Sequence, residues 1–123
     1  KGAFRLVSFE EAGIVGDTEK YSIVIDYNGK TIEGIGEGKG PIEAITHLLR
    51  RTVKNVKLLH YKQIALGETE MGSKAKAMTI IQLMDVDKDI KVTCRGLHDD
   101  TRKANLHAIF NGLNLLEKMS GRK

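Results

Sequence analysis

GIGEGKGPIEA, from Gly34 to Ala44, and CRGLHDDTRKA, from Cys94 to Ala104, decide the fold of this 123-residue chain. Gly36 and Gly96 stand 60 residues apart, and so do Ala44 and Ala104. Each segment follows a strand-like stretch and runs into a helix-like one. A repeat of this kind implies two similar units that are joined and packed on each other. The seam between such units is a natural place for a ligand, because two helix N-termini can point at one spot there.

Working outward, Phe4, Leu6 and Phe9 punctuate a first strand, and Gly13 to Thr18 reads as a glycine-containing loop. Tyr21, Ile23, Ile25 and Tyr27 alternate on one side of a second strand. Asn28-Gly29 is a two-residue hairpin signal, since both positions tolerate positive φ. A return strand runs from Lys30 to about Gly36. Pro41 suits the first turn of a helix that follows, with Gly40 before it and Glu43 adding a negative charge. Ile45, Leu48, Leu49, Thr52 and Val53 form its apolar stripe, and Asn55 is a reasonable stop. The second half repeats the order. Strands are predicted over Val56–Leu66 and Ala75–Met84, with a loop at Gly67–Ser73 between them. DVDKD then turns into Ile90, Val92 and Cys94. Asp99 or Asp100 can cap the last helix, whose stripe is Leu106, Ile109, Phe110, Leu113 and Leu116. The fold class is therefore α+β: two βββα units related by a pseudo-twofold, with helices packed against antiparallel sheets.

Length implies one domain over residues 1–123, divided into units at 1–55 and 56–123. Each unit alone would bury too little surface, so the two should share a core. Hydrophobic residues make up 41%, which excludes a disordered chain. No apolar run is long enough for a membrane span, so no membrane partner is expected. The chain opens on Lys1 rather than Met, as expected of a piece of something longer. Cys94 is the single cysteine, which excludes an internal disulfide and suits a cytoplasmic setting. The net charge of +4 comes from 20 basic and 16 acidic residues that are interspersed. Arg50, Arg51, Lys54 and Lys57 are the densest basic group, and they complement the end of a helix dipole.

Several chemistries fail on spacing. Gly34, Gly36, Gly38 and Gly40 fall at every second residue, unlike a dinucleotide fingerprint, and Lys39 is followed by Gly40 rather than the Ser or Thr of a phosphate loop. Two readings remain for these glycines. They ease a strand end into a tight turn, or they let a small ligand approach the backbone. Asp85, Asp87 and Asp89 open like a calcium loop, but Ile90 and Gly96 stand where that loop needs Gly and Glu. His47, His60, His98 and His107 form no metal-ligand grouping with Cys94, so no metal site is expected. No nucleophile, base and acid assemble into a catalytic set. Aromatic residues are only 5%, without the basic-aromatic interleaving of an RNA-binding surface.

Against these absences stands a resemblance. Gly38 to Ala44, G-x-G-P-I-E-A, resembles the G-x-G-P-[hydrophobic]-[acidic]-A signature of the C-terminal regulatory domain of 2-isopropylmalate synthases, which citramalate synthases share. LLHYKQIAL, Leu58 to Leu66, resembles that family's fourth strand, with His60 where the family carries an acid. ANLHAIFNGLN, Ala104 to Asn114, resembles its final helix. The second turn departs from the family's G-x-G-x-D-T-D-I. Cys94, His98 and Thr101 differ, while Gly96 and Asp100 match.

The resemblance implies a non-catalytic regulatory and dimerising module with no cofactor of its own. Its parent would condense acetyl-CoA with a 2-oxo acid on a (β/α)8 barrel that holds a divalent metal. The implied partners are leucine as feedback effector, a second copy of the chain, and that barrel. Isoleucine, as effector of a citramalate synthase, is the alternative. A basic α+β nucleic-acid-binding module is the alternative from another class. The implied effector site starts at the first turn, with Gly38, Gly40 and Pro41, and continues to Ile42 and Glu43 at the helix N-terminus. Leu58, Tyr61 and Ala65 would line one wall, Ala75 and Ala77 would leave space, and Asp100 and Thr101 would close the second turn. Two open helix N-termini would offer N–H groups to a carboxylate.

Overall fold

A computed structural model describes residues 2–66 and 77–121. Three strands come first: β1 (Phe4–Val15), β2 (Thr18–Tyr27) and β3 (Lys30–Gly38), followed by helix α1 (Pro41–Thr52). The second set is β4 (Val56–Ala65), β5 (Ala77–Asp85), β6 (Ile90–His98) and helix α2 (Thr101–Ser120). Each set of strands makes an antiparallel sheet, ordered β1-β2-β3 and β4-β5-β6. The α+β architecture of two βββα units is thus the one the repeat implied. β6 follows β3 by 60 residues at both ends, and α2 begins 60 residues after α1. Even the irregularities repeat. β1 slips register between Leu6 and Ser8, and β4 slips between Leu58 and His60.

The alternation in β2 buries Tyr21, Ile23 and Ile25 on one face. Asn28 and Gly29 take φ of 51° and 88°, the mirror-image turn that a two-residue hairpin needs. The first loop differs from expectation. Most of Gly13–Thr18 is strand, because Gly13 adopts φ 141° beside a register slip and carries β1 through as a bulge. Further on, β3 runs two residues past Gly36. The α1 stripe also differs at its end. Thr52 is exposed and its hydroxyl donates back to the Leu48 carbonyl at 2.8 Å, while Ile42 and Ala44 join Ile45, Leu48 and Leu49 in the buried face. The predicted loop Gly67–Ser73 lies outside the described residues.

Ala44 enters that face because Gly36 lies beneath it. A Cβ on Gly36 would stand 2.3 Å from the Ala44 carbonyl oxygen, and one on Gly96 would stand 2.5 Å from that of Ala104. Each helix therefore rests on bare strand backbone. α1 also meets β4, α2 also meets β1, and the two helices touch. Ile23, Ile45 and Leu49 from the first unit and Ile81, Ile109 and Leu113 from the second belong to one apolar cluster. Asn114 of α2 holds β1 like a further strand: it accepts from Phe4 N at 2.7 Å and donates to Phe4 O at 3.1 Å.

A polar clasp joins the units at the far end of the helices. Lys54, in the α1–β4 connection, lies 3.2 Å from Asp85 Oδ2 and 2.9 Å from Glu117 Oε1. The second contact is an ion pair outside hydrogen-bond geometry. Tyr27 donates to Glu117 Oε2 at 2.7 Å, and Ser120 donates to Asp85 Oδ2 at 2.9 Å. Burial pushes the Asp85 carboxyl up, but the bonds from Ser120 and Lys54 outweigh it and hold it below 3.8. Glu117 behaves alike: burial raises it, and Tyr27 and Lys54 bring it below 4.5. Burial lowers Lys54, yet the two carboxylates raise it above 10.5. Tyr27 is pushed up to about 12, by burial first and then by Glu117.

Carboxylates held low contribute stability above their ordinary range and lose it as pH falls through their folded values. The raised lysine contributes below its ordinary value and loses that contribution as pH rises through its folded one. Stability should thus be highest near neutrality. Lys54→Met leaves the buried Asp85 carboxylate and the half-buried Glu117 carboxylate without their shared cation and should cost about 3–5 kcal/mol at pH 7. The deficit should shrink on acidification, as those carboxyls take up protons. Urea titrations at pH 7 and pH 4 read both, and a deficit equal at the two would assign the clasp to packing alone.

Candidate functional site

The two helices start side by side at the opposite end, and a cavity of about 430 Å³ opens there between the units. One side is the turn Lys39–Gly40–Pro41 with Ile42 and Glu43 of α1; another is Glu19 and Tyr21 of β2. Leu58 and Tyr61 of β4 face them, and Thr101, Arg102 and Asn105 of α2 complete the wall. A volume of this size is metabolite-scale.

The two helix ends differ chemically. Gly40, the residue before α1, is extended (φ −172°, ψ −177°) and supplies no side-chain cap. Pro41 has no N–H, and Ala44 N already donates to Gly40 O at 3.0 Å. Among the described residues, nothing caps the N–H groups of Ile42 and Glu43 at the positive end of the helix dipole. Glu43 turns its carboxylate back to Lys39 N at 2.9 Å. At α2 the same place is filled: Asp100 accepts from Arg102 N at 2.8 Å and Lys103 N at 3.3 Å. Those bonds hold its carboxyl below 3.8. The expectation of two open helix ends is thereby corrected. One is open and one is self-capped.

The walls mix apolar and polar groups. Ile42 is buried, Leu58 is half-buried, and Tyr61 is exposed at 48% with its hydroxyl 3.3 Å from Asn105 Oδ1. Phe9 and Tyr21 stack with ring centroids 4.6 Å apart. The Tyr21 hydroxyl donates to Glu19 in a short contact. Its pKa is pushed up to about 12, by burial first and then by that carboxylate. Arg102 pairs with Glu11 of β1 across the seam.

Of the residues singled out in the sequence, Gly40, Pro41, Ile42, Glu43, Leu58, Tyr61 and Thr101 come together on this cavity. Four others do not line it. Gly38 is buried one step back, where a Cβ would meet Glu43 Cβ at 2.6 Å, and Asp100 is the exposed cap of α2. Ala65 and Ala77 pair with each other at the ends of β4 and β5, Ala65 exposed and Ala77 buried. Ala75 lies outside the described residues. His98, a departure from the family pattern, accepts from Asp100 N at 3.0 Å and meets His107 edge-on.

Sequence reasoning missed Glu19, Tyr21, Lys39, Arg102 and Asn105. Asn105 could have been found, because it lies four residues after Thr101 and so on the same helix face. Glu19 and Tyr21 reach the turn only through the pairing of Tyr21 with Gly36, which no local pattern reveals. Among the described residues, no three His, Cys, Asp or Glu side chains group as metal ligands, and no helix is long and apolar enough to cross a membrane.

The LeuA allosteric (dimerisation) domain family matches residues 3–117. A 2-isopropylmalate synthase of Desulfitobacterium hafniense (strain Y51) is 30% identical over 105 residues, covering 85% of this chain and 18% of the relative. A provisionally assigned (R)-citramalate synthase of Methanosarcina mazei is 30% identical over 115 residues, covering 90% and 23%. A 2-isopropylmalate synthase of Kocuria rhizophila is 26% identical over 113 residues, covering 92% and 18%. The chain thus spans about a fifth of the length of these relatives.

The two turn glycines should respond oppositely to a side chain. Gly40 has open space around it and an extended backbone that any residue adopts. Gly40→Asp should therefore keep the fold and gain a few tenths of a kcal/mol, roughly, as an N-cap like Asp100. Gly38→Asp must displace the first turn of α1 and should cost about 1–3 kcal/mol. Thermal melts of the two variants check this. Equal losses would mean that the turn is held in some other way.

Proposed function

This chain belongs to the LeuA allosteric (dimerisation) domain family, and from that premise we propose that it binds leucine as a feedback effector. On this reading it is the regulatory part of a 2-isopropylmalate synthase. It pairs with a second copy of itself, and it slows a condensing barrel elsewhere in the parent protein. The single observation that carries the effector reading is the uncapped start of α1 opening into the seam cavity opposite Leu58. The N–H groups of Ile42 and Glu43 take the effector's carboxylate. Ile42, Leu58 and the ring of Tyr61 receive its branched side chain. Glu19, on the other wall, is the counter-charge for its ammonium group.

A ligand held this way touches both units at once. It can therefore favour one arrangement of the units over another, which is what regulation at a distance requires. The likeness to a provisionally assigned (R)-citramalate synthase supports isoleucine as the second reading. The two amino acids differ only in branch position, so packing can separate them by only about 1–3 kcal/mol.

Calorimetry with leucine, isoleucine and valine tests the reading. Leucine should bind most tightly. At a hundred times its dissociation constant it should stabilise the fold by about 2.7 kcal/mol. Gly40→Asp places its own carboxylate where the effector's belongs and should lose most of that gain. Tighter isoleucine binding would move the assignment to the second reading. A full gain in Gly40→Asp would remove the effector from this turn.

Self-association is tested separately. Sedimentation at tens of micromolar, about the range of a modest dimer affinity, should show a species of twice the chain's 13.6 kDa. Monomer alone at that concentration would overturn the pairing.

A further inference from the structure

Thr79 of β5 is fully buried, at 0% exposure, and reaches Asn105 of the cavity wall. It donates to Asn105 Oδ1 at 2.7 Å. Gln63 Nε2 lies 3.1 Å from the same oxygen, and the Tyr61 hydroxyl lies 3.3 Å from it. Gln63 Nε2, with two hydrogens, also faces the backbone carbonyl of Thr101 and the Thr79 hydroxyl oxygen, each at 3.1 Å. A backbone carbonyl only accepts, so the Gln63 atom facing it is the amide nitrogen. That nitrogen donates, so the Asn105 atom it faces is the oxygen. The orientation of Asn105 is thus keyed through Gln63 to the main chain of α2.

Oδ1 thus has three donors within 3.3 Å for its two lone pairs, and Nδ2 is what remains. Among the described residues it donates to nothing, and Asn105 lines the cavity. The uncapped N–H groups of Ile42 and Glu43 belong to the same cavity, on the other unit. Arg102, the nearby guanidinium, is already paired with Glu11. A carboxylate has acceptor sites on both oxygens, enough for donors arriving from two sides.

Resting on the amino-acid-binding reading above, we propose that Asn105 is a specificity-determining residue of this cavity, donating its side-chain N–H to the effector's carboxylate. Gln63 is the positioning residue that keeps that donor turned to the ligand. The carboxylate then bridges α1 of one unit and α2 of the other.

The test is calorimetry on the full chain with leucine and with leucinamide, which swaps one carboxylate oxygen for an NH2 group. The wild type should prefer leucine. Asn105→Asp keeps an acceptor for Thr79, Gln63 and Tyr61 but loses the donor. Leucine affinity should fall about 10- to 100-fold, as for a hydrogen bond to a charged group, and the preference over leucinamide should collapse. Gln63→Glu puts an acceptor against Thr101 O and lets the Asn105 amide turn over, so it should collapse the same preference. The double variant should add little. If Asn105→Asp does not fold, Asn105→Ala reads the same ratio with Gln63 still bonded to Thr101. A wild-type ratio in the Asn105 variant overturns the proposal and leaves the amino-acid reading standing. No binding of leucine, isoleucine or valine by the wild type overturns both.

Discussion

Two positions without side chains fix where the helices lie. At Gly36 and Gly96 the strand backbone stands directly under the carbonyls of Ala44 and Ala104, and no Cβ fits between. That contact sets the height of each helix on its sheet. It also sets where each helix begins, because Pro41 and Thr101 follow these glycines at the same distance. Both N-termini are thus delivered to one end of the seam. The cavity, the open N–H groups and the polar wall behind them all follow from that placement.

Backbone symmetry coexists with chemical asymmetry. In the first unit the turn reads Gly38, Gly40 and Pro41, and its helix end is open. In the second the matching places are His98, Asp100 and Thr101, and the end is closed. Where the first unit stacks Phe9 on Tyr21, the second places Tyr61, Gln63, Thr79 and Asn105 in a hydrogen-bonded group. One unit contributes an electrostatic socket and the other contributes directional side chains. A pocket built from both can treat the two ends of a zwitterion differently, which a symmetric pair could not.

Much of the fold was legible because it is written in short-range signals. The Asn28-Gly29 turn, the alternation through Tyr21, Ile23 and Ile25, and the Gly40-Pro41 helix start each act within a few residues. The 60-residue repeat then fixed the second unit from the first. Legibility failed where long-range pairing decides. Gly13 looked like a loop residue because nothing nearby shows that β1 continues through it as a bulge. The candidate site was legible at the α1 turn and on β4. The residues that reach it by sheet register, Glu19 and Tyr21, were not. The clasp was hidden for the same reason: Lys54 and Asp85 are 31 residues apart and meet only in the folded chain.

Asp100 has a consequence for valence. A chain that contains one motif twice would ordinarily offer two equivalent seats for a small anion, one per helix. By placing its own carboxylate on the second helix, the chain fills one of these positions itself and leaves the other without a side-chain cap. Duplication here has repeated the backbone without repeating the open helix end.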